Sequence, residues 1–428
     1  MDFRDDQNHV FNISLAKSTG LYKFLDPETT KYRGKNLYRI VLTIISLYSG
    51  VNGIILSIHG VYYWTNNLSL SIDYFWNSFY TSFMCYSLLV SVQYSDDIWN
   101  CLSITCYGFT SHSLQNRHIL DRWRDRSVFL TNIITVTYLL SAIIYYGSSL
   151  VLSNYIIEVK NHDGSVSNYR YNVLNYYLFL SEETYNSHYY IMNLIECMGT
   201  ANFLVALIVF DVLGVTFCLA VTCQMQMISA AFESVGYTSL GDHHLSLIDR
   251  RGEKKNLPNT QNLMYDQLKT ITMDHQAVMG KYDAILAIFK RALLFQYVVL
   301  SMVFIVIWFC FIMSFSSDER FNSSSLITIK IFSAIPATVF KLFGTCYLFG
   351  NIHDQKDSII FALYSSNWTE MDIKCKKLIL FAMKMNNGDQ KKLKFTRTKI
   401  INLEMFFKYW FILHLLMRAL RCPLFPNW

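Results

Sequence analysis

Residues 40–64 read IVLTIISLYSGVNGIILSIHGVYYW and contain no Asp, Glu, Lys or Arg. A helix that crosses a bilayer needs about 20 mostly apolar residues, so this stretch is long enough to span a membrane. Six further apolar segments follow it, the last of them weaker: residues 74–94, 128–152, 191–228, 292–317, 323–349 and 405–417. The chain has 428 residues, of which 52% are hydrophobic and 16% charged. We therefore predict an all-α, seven-transmembrane-helix membrane protein.

The lysines and arginines set the orientation of these helices. With the N-terminus in the cytosol, 29 of the 37 Lys and Arg residues lie in the N-terminal segment and the inner loops, whereas the outer loops hold three. Positive residues concentrate on the cytosolic side of membrane proteins. We predict a cytosolic N-terminus and an extracellular C-terminus, the reverse of a G-protein-coupled receptor. The net charge of +6 follows from this topology and from contact with anionic membrane lipid, so no nucleic acid is expected as a partner.

Catalytic and metal-binding motifs are missing from the sequence. It contains no Walker loop, GxSxG, HExxH or dinucleotide fingerprint. None of the ten cysteines lies in a predicted outer loop, and no pair has CxxC spacing, so neither a disulfide framework nor a zinc site is indicated. We expect no enzyme activity, no cofactor and no bound metal.

Four charged residues fall inside the fourth and sixth predicted spans: Glu196, Asp211, Lys330 and Lys341. Charges within a bilayer are costly and usually face a cavity, a water path or a partner charge. At about 1.5 Å per residue, the spacing matches Glu196 in depth with Lys330, and Asp211 with Lys341. Structural pairing and a direct part in ligand or ion handling both remain open.

The outer halves of the second, third, fourth and sixth segments are aromatic and lightly polar, which suits a small, mostly apolar ligand. Trp76, Tyr80 and Phe83, for example, share one helical face. Ordinary helix packing produces the same aromatic stripes, so that alternative stays open. The predicted ligand-binding residues are Trp76, Tyr80, Phe83, Tyr145, Tyr146, Ser149, Glu196, Thr200, Phe203, Thr328 and Phe332.

Two segments outside the spans carry further expectations. The tyrosine-rich outer loop, residues 153–190, either forms a lid over an outward-facing cavity or is a solvated loop anchored by interfacial tyrosines. The fourth apolar segment has 38 residues, about 57 Å of helix, against about 30 Å of hydrocarbon. Residues 229–291 remain periodic except for a loose stretch at 236–261, so we predict helices that extend well below the membrane.

Residues 354–408 read DQKDSIIFALYSSNWTEMDIKCKKLILFAMKMNNGDQKKLKFTRTKIINLEMFFK. Tyr364 and Trp368 open an amphipathic helix, which continues through lysines into an apolar run, and a basic turn then leads to a short terminal helix. This stretch resembles the C-terminal signature of insect odorant receptors, in which a Tyr, an Asn-Trp pair, a Lys-Leu-rich helix and a Phe-Lys start of the final helix recur in this order.

The resemblance implies an odorant-binding subunit of a heteromeric, ligand-gated, non-selective cation channel in the plasma membrane of olfactory sensory neurons. Its partner would be the odorant receptor co-receptor, in a heterotetramer, and its ligand a small volatile odorant. The loop between spans four and five lacks the long insertion of the co-receptor, which favours a tuning subunit. The resemblance assigns a subunit anchor to Tyr364, Trp368, Lys377 and Leu380, and a pore lining to Phe411 and Leu415.

These expectations divide the chain into four parts: a cytosolic N-terminal segment (1–39), transmembrane helices 1–6 with an outer-leaflet ligand pocket (40–349), a cytosolic anchor region (350–404) and a final pore helix with its tail (405–428). The tail departs from the family pattern, because its uncharged run, 409–417, covers only about 13 Å. Two alternatives are a gustatory-type chemoreceptor channel, whose final-helix signature is missing, and a secondary transporter, which would need inverted repeats.

Overall fold

The computed structural model describes residues 8–29, 31–32, 34–112, 116–161, 163–237, 260–313, 335–388, 401–408 and 411. The described residues form a helical bundle with two small antiparallel hairpins, β1 (Lys31–Tyr32) with β2 (Lys35–Asn36) and β3 (Ile156–Lys160) with β4 (Val166–Arg170). The helices are α1 (Ile13–Ser18), α2 (Leu21–Leu25), α3 (Leu37–Tyr63), α4 (Leu68–Gln93), α5 (Ser95–Cys101), α6 (Arg117–Val151), α7 (Glu182–Ser187), α8 (Tyr189–Ser234), α9 (Thr260–Met313), α10 (Ile335–Ser365) and α11 (Ile373–Gly388). Residues 403–408 are also helical.

The predicted spans correspond to long helices wherever the structure describes them. The first four are α3, α4, α6 and α8, the fifth is the C-terminal part of α9, and the sixth overlaps α10. By length and composition, four described stretches could cross a membrane: Leu37–Tyr63, Arg117–Val151, Ile208–Ser234 and Gln261–Val303. Residues 314–334, 409–410 and 412–428, which include parts of the fifth and sixth spans and most of the seventh, lie outside the described residues.

The lower end of α6 corrects a predicted boundary. The apolar run begins at residue 128, but the helix begins at Arg117. Its added turns bury Ile119, Leu120 and Trp123, and the Trp123 indole donates a hydrogen bond to Gln226 Oε1 at 2.7 Å. An amphipathic stretch therefore continues the helix, because packing against α8 compensates for its lower hydropathy.

The predicted continuation of the helices beyond the apolar segments is confirmed. α8 continues to Ser234, and α9 starts at Thr260 as one helix of 54 residues, or about 80 Å at 1.5 Å per residue. α11 packs against both α9 and α10. The chain thus adds a helical layer below the predicted membrane region.

α3 shows which face of the bundle meets lipid. Its exposed apolar side chains recur at three- and four-residue spacing: Ile44, Leu47, Val51, Ile54, Ile58 and Val61. The opposite face packs on α4, where Gly53 and Gly60 allow close approach of the two helices. A continuous apolar stripe exposed along a helix is expected where hydrocarbon, and not water, is the solvent.

α8 is the central helix of the bundle. In the most apolar 18-residue window within Ile208–Ser234, 94% of the residues are buried, against 33% for the corresponding window of α3. It packs against α4, α6, α9 and α10, and Phe210 contacts both Phe83 of α4 and Phe289 of α9 through aromatic rings. The side chain of Asp211, on this part of α8, is therefore only 10% exposed.

The outer loop is folded, and most of its tyrosines are packed inside it. β3 and β4 pair in register from Ile156 with Arg170 to Lys160 with Val166, and α7 follows. Most tyrosines of the loop are buried: Tyr169, Tyr171, Tyr176, Tyr177 and Tyr185. They stack on one another, as in the Tyr169 and Tyr177 pair with ring centroids 4.4 Å apart. The loop forms a packed cap on the outer ends of the helices.

Candidate ligand site

A buried ion pair joins α8 to α10 in the interior of the bundle. Lys341 Nζ lies 2.9 Å from Oδ2 of Asp211, and the two side chains are only 6% and 10% exposed. The predicted pairing of Asp211 with Lys341 is confirmed. Breaking such a pair by removing one partner leaves a buried charge without compensation, so the pair constrains how the two helices pack.

Two further helices contribute donors to the same carboxylate. The hydroxyl of Tyr138, on α6, donates to Oδ2 of Asp211. Nε2 of Gln296, on α9, lies 3.5 Å from Oδ1. Asp211 therefore links α6, α8, α9 and α10 at one depth.

Aromatic rings surround the ammonium of Lys341. Its Nζ lies 5.1 Å from the ring centroid of Phe83 and 6.0 Å from that of Tyr138. Cations are attracted to the faces of aromatic rings at about this distance. The Tyr80 hydroxyl lies close enough to Asp211 for the two groups to interact electrostatically. The ion pair thus lies against the aromatic face of α4 that the sequence had indicated.

Below this ion pair is a cavity of about 210 Å³. It extends between α6, α8, α9 and α10, from Asp211 to Val221 along α8, which is about 15 Å at the helical rise. Six phenylalanines line it: Phe210, Phe217, Phe289, Phe340, Phe343 and Phe349. Asp211, Lys341 and Gln296 form its charged end, and a concave apolar site with a few convergent polar groups is the usual form of a small-molecule site.

Glu196 forms a second polar centre, about 22 Å farther out along α8. Its carboxylate accepts hydrogen bonds from three consecutive backbone N–H groups, those of Leu174 at 2.6 Å, Asn175 at 2.9 Å and Tyr176 at 3.1 Å. The Tyr185 hydroxyl donates a fourth at 2.9 Å. Asn175 has a φ of 59°, a conformation that Asn tolerates better than most residues. The chain turns here so that its amides converge on the buried carboxylate.

Among the described residues, no group of three or more His, Cys, Asp or Glu could hold a metal ion. The carboxylates of Glu196 and Asp211 are occupied by donors from the protein itself. The cavity offers shape, aromatic surface and hydrogen-bonding groups to a guest molecule.

A family model described as 7tm Odorant receptor matches residues 105–410. The chain belongs to the 7tm odorant receptor family. The match covers α6 to α11, and so the ion pair, the cavity and the Glu196 centre of this odorant receptor. No curated protein matches the sequence.

Two solved structures are similar to this odorant receptor. One is the insect olfactory receptor OR5 from Machilis hrabei, with a TM-score of 0.67, 10% identity, and coverage of 95% of this chain and 97% of that chain. The other is the same receptor in complex with eugenol, with a TM-score of 0.61, 12% identity, and coverage of 96% and 97%. At such identities the likeness concerns the fold, which is a seven-helix membrane fold.

Three predictions are confirmed by these findings. The resemblance of residues 354–408 to insect odorant receptors is matched by the family, the all-α seven-helix fold is matched by the solved structures, and the odorant receptor is a receptor and not an enzyme. The chain is a multi-pass membrane protein.

Several predicted ligand residues of this odorant receptor lie together near the outer side. Trp76 and Tyr80 stack with centroids 5.9 Å apart, and Tyr145 and Tyr146 meet edge to face at the same centroid distance. The Tyr145 hydroxyl donates to Asn77 Oδ1 at 3.2 Å, which joins α6 to α4. The side chains of Thr200 and Phe203, and all of Thr328 and Phe332, lie outside the described residues.

Two further predicted ligand residues, Glu196 and Ser149, make hydrogen bonds to other parts of the chain. Glu196 is fully buried and its oxygens are used by the outer loop. It was also matched in depth with Lys330, which lies outside the described residues. Ser149 accepts a hydrogen bond from Asn193 at 2.9 Å, and its backbone carbonyl accepts one from Tyr189 at 2.8 Å.

The sequence reasoning missed Gln296 and Tyr138 as members of the inner centre. Gln296 stands alone as an amide within the apolar run of the fifth span, and Tyr138 lies within the third span. A polar residue inside a span usually has a partner, and both have Asp211. Once Asp211 is placed inside the bundle, the polar character of these two residues within apolar spans indicates them as its partners.

Proposed function

We propose that this odorant receptor is the odorant-binding, tuning subunit of a heteromeric, ligand-gated, non-selective cation channel. Its N-terminus is cytosolic and its C-terminus extracellular, it works in the plasma membrane of olfactory sensory neurons, and its partner is the odorant receptor co-receptor. The observation that carries the proposal is the aromatic space inside the bundle, bounded by four helices that a ligand contacts together. A ligand with higher affinity for one arrangement of these helices shifts the population toward that arrangement.

The outer part of the ligand site is formed by Trp76, Tyr80, Phe83, Tyr145 and Tyr146. These side chains present ring surfaces to a small apolar molecule, and the folded loop covers them from the outside. Phe83 lies under Lys341, which lines the inner cavity, so the outer part of the site borders the charged end of that cavity.

The cytosolic layer supports assembly with other subunits. Outside the membrane region, α10, α11 and the turn between them expose large apolar side chains: Phe361, Tyr364, Trp368, Ile373, Leu380 and Phe381. Exposed apolar patches on a water-facing surface mark protein interaction sites. We assign this surface, with Lys377 beside it, to the subunit anchor. Phe411 is 62% exposed and is assigned with Leu415, which lies outside the described residues, to the pore.

Whole-cell recording tests the proposal. Cells express the full chain with and without a co-receptor and are exposed to a panel of volatiles, with eugenol as a first compound and with G-protein signalling blocked. We expect a fast cation current only when both chains are present. Uptake of a compound without current would favour a transporter, and current from this chain alone would contradict the requirement for a partner. A co-receptor agonist that opens the co-receptor alone confirms that the cells are competent.

A matched pair of variants tests the anchor. Leu380→Asp places a charge on the exposed apolar surface of α11, whereas Asn387→Asp places the same charge at an exposed polar position of the same helix. We expect Leu380→Asp to lower co-purification with the co-receptor at least tenfold and Asn387→Asp to leave it within twofold. Equal co-purification of the two variants would argue against this surface.

A further inference from the structure

At the charged end of the cavity, one side-chain hydrogen-bond acceptor has no donor among the described residues. Gln296 is 3% exposed, and its Nε2 must be the atom that faces Asp211, because a carboxylate only accepts hydrogen bonds. Its Oε1 is thereby directed away from Asp211. Among the described residues, none donates a hydrogen bond to Oε1.

Lys341 adds donor capacity at the same end. An ammonium has three N–H donors, and Lys341 directs Nζ to Asp211 Oδ2. Apart from Asp211, no acceptor within the described part of the chain forms a hydrogen bond with Nζ, so further N–H groups of this ammonium are unused. Buried polar groups are normally satisfied, so an unused donor and an unused acceptor that line one cavity indicate a guest.

A hydroxyl group matches this pair of atoms. It accepts through its lone pairs and donates through its single O–H, so it can accept from Lys341 and donate to Gln296 Oε1 together. An ether or a carbonyl can only accept, and an ammonium would meet Lys341 as a like charge. We infer that the cavity binds a small neutral alcohol, with its hydroxyl between Lys341 and Gln296 and its hydrocarbon body among the phenylalanines.

The volume sets the size of this alcohol. A cavity of about 150 Å³ holds benzene, so 210 Å³ suits a molecule of about eight or nine non-hydrogen atoms. The elongated shape along α8 favours a ring on a short chain over a fused ring system. The site lies deeper than Trp76 and Tyr145, and it is therefore distinct from the outer site proposed above.

This inference rests on the proposed function for its class of small volatile ligands, but its test measures binding and not current. The probes are 2-phenylethanol and benzyl methyl ether, which are isomers that differ in having a hydroxyl or an ether oxygen. The full chain is purified in nanodiscs, and its thermal unfolding is followed as each compound is added. We expect half-maximal stabilisation by the alcohol at a concentration about tenfold below that of the ether, because the ether cannot donate to Gln296.

Two variants locate the binding. Gln296→Leu removes the acceptor, so we expect the two isomers to act within about twofold of each other. Gly214→Val fills the cavity: Gly214 lines it, and an added Cβ there meets nothing within 4 Å. We expect both isomers to bind at least tenfold more weakly. Gly280→Val is the control, because Gly280 lies on α9 away from the cavity and also has nothing within 4 Å of an added Cβ.

The outcomes separate the inference from the proposed function. Equal action of the isomers on the natural chain, unchanged discrimination in Gln296→Leu, or identical behaviour of Gly214→Val and Gly280→Val would each overturn the inference. If Gly214→Val does not fold, Gly214→Ala replaces it with a smaller expected loss of about threefold. Discrimination in nanodiscs without any odorant-gated current in cells would leave the inference standing and overturn the channel proposal.

Discussion

Glu196 and Asp211 are two carboxylates on one helix, α8, and both are buried, yet their surroundings differ. Glu196 accepts three backbone N–H groups and one tyrosine hydroxyl, all from residues 174–185. Asp211 is held by side chains from three other helices, those of Lys341, Tyr138 and Gln296. One centre is closed around a loop of the same chain region, and the other joins distant helices beside a cavity.

The difference separates stability from recognition. The carboxylate of Glu196 accepts four hydrogen bonds from its own loop, so it fixes a local structure and has little capacity left for a ligand. A network with a spare donor and acceptor on a cavity wall can be completed by a guest. We therefore expect a ligand to bind beside Asp211 and not beside Glu196, although the sequence alone does not distinguish the two carboxylates.

The largest effect is expected from Glu196→Leu. The change removes the acceptor of three buried backbone N–H groups, each of which costs about 1–3 kcal/mol when left unsatisfied. We expect the free energy of unfolding to fall by about 5 kcal/mol, with loss of the folded loop. Unfolding of the purified chain by SDS titration in mixed micelles measures it.

Two controls accompany this change. Glu196→Gln keeps one carbonyl oxygen and should lose about half as much stability. Glu158→Gln alters an exposed carboxylate on β3 and should stay within about 0.5 kcal/mol of the natural chain. A Glu196→Leu protein as stable as Glu158→Gln would show that the loop does not depend on the carboxylate.

The next effect concerns the ion pair. Lys341→Met leaves Asp211 buried without its cation, and breaking a buried pair typically costs about 3–5 kcal/mol. We expect a loss of about 3 kcal/mol, at the lower end, because the neighbouring cavity lets water approach the carboxylate. The same SDS titration measures the loss.

The double variant Asp211→Leu with Lys341→Met sharpens this test. Replacing both partners removes the uncompensated charge, so most of the lost stability should return. A double variant less stable than Lys341→Met alone would mean that the two residues act independently and that their contact contributes little.

The sequence predicted more of the Asp211 centre than of the Glu196 centre. Helical rise alone matched Asp211 with Lys341, because both lie within continuous apolar helices whose register is regular. The same reasoning matched Glu196 with Lys330, but it had no means of finding the amides of Leu174, Asn175 and Tyr176. Those amides come from irregular backbone, and periodicity carries no information about where an irregular segment folds.

Aromatic positions show the same limit. Trp76, Tyr80 and Phe83 were predicted to share a face, and Trp76 stacks on Tyr80 as expected from i, i+4 spacing. Which face of another helix they meet depends on packing angles that the sequence does not give. Phe83 therefore turned out to lie under Lys341, a contact between helices far apart in the chain.

Two tyrosines provide a smaller, matched comparison. Tyr185→Phe removes the hydroxyl that donates to Glu196 and accepts from Asn172 at 2.9 Å, so a buried amide loses its partner. Tyr138→Phe removes the hydroxyl that donates to Asp211, where the cavity admits a replacement. We expect losses of about 2 kcal/mol and about 1 kcal/mol respectively, measured by SDS titration.

A ligand should distinguish the two tyrosine variants further. Tyr138 lines the cavity, so Tyr138→Phe should change the stabilisation that saturating 2-phenylethanol gives, whereas Tyr185→Phe should leave that stabilisation as it is in the natural chain. If the alcohol stabilises both variants to the same extent as the natural chain, the contrast between an open and a closed centre is wrong.

The smallest effect belongs to an exposed carboxylate of the cap, which contrasts with both buried ones. The Ser165 hydroxyl and backbone N–H donate to Oδ1 of Asp163 at 2.6 Å and 2.9 Å, and these hydrogen bonds lower the pKa of Asp163. A carboxyl with a lowered pKa in the folded state adds stability above its ordinary value, about 3.9, and loses it as the pH falls through the lowered value. We therefore expect protection of the Ser165 amide against hydrogen exchange, corrected for intrinsic rates, to be constant from pH 7 to 5 and to decline below about pH 4.

Asp163→Ala should remove this pH dependence while leaving the amides of Leu174 to Tyr176 protected, because those amides depend on Glu196. Decline of both sets of amides together would mean that the turn and the Glu196 centre unfold as one unit.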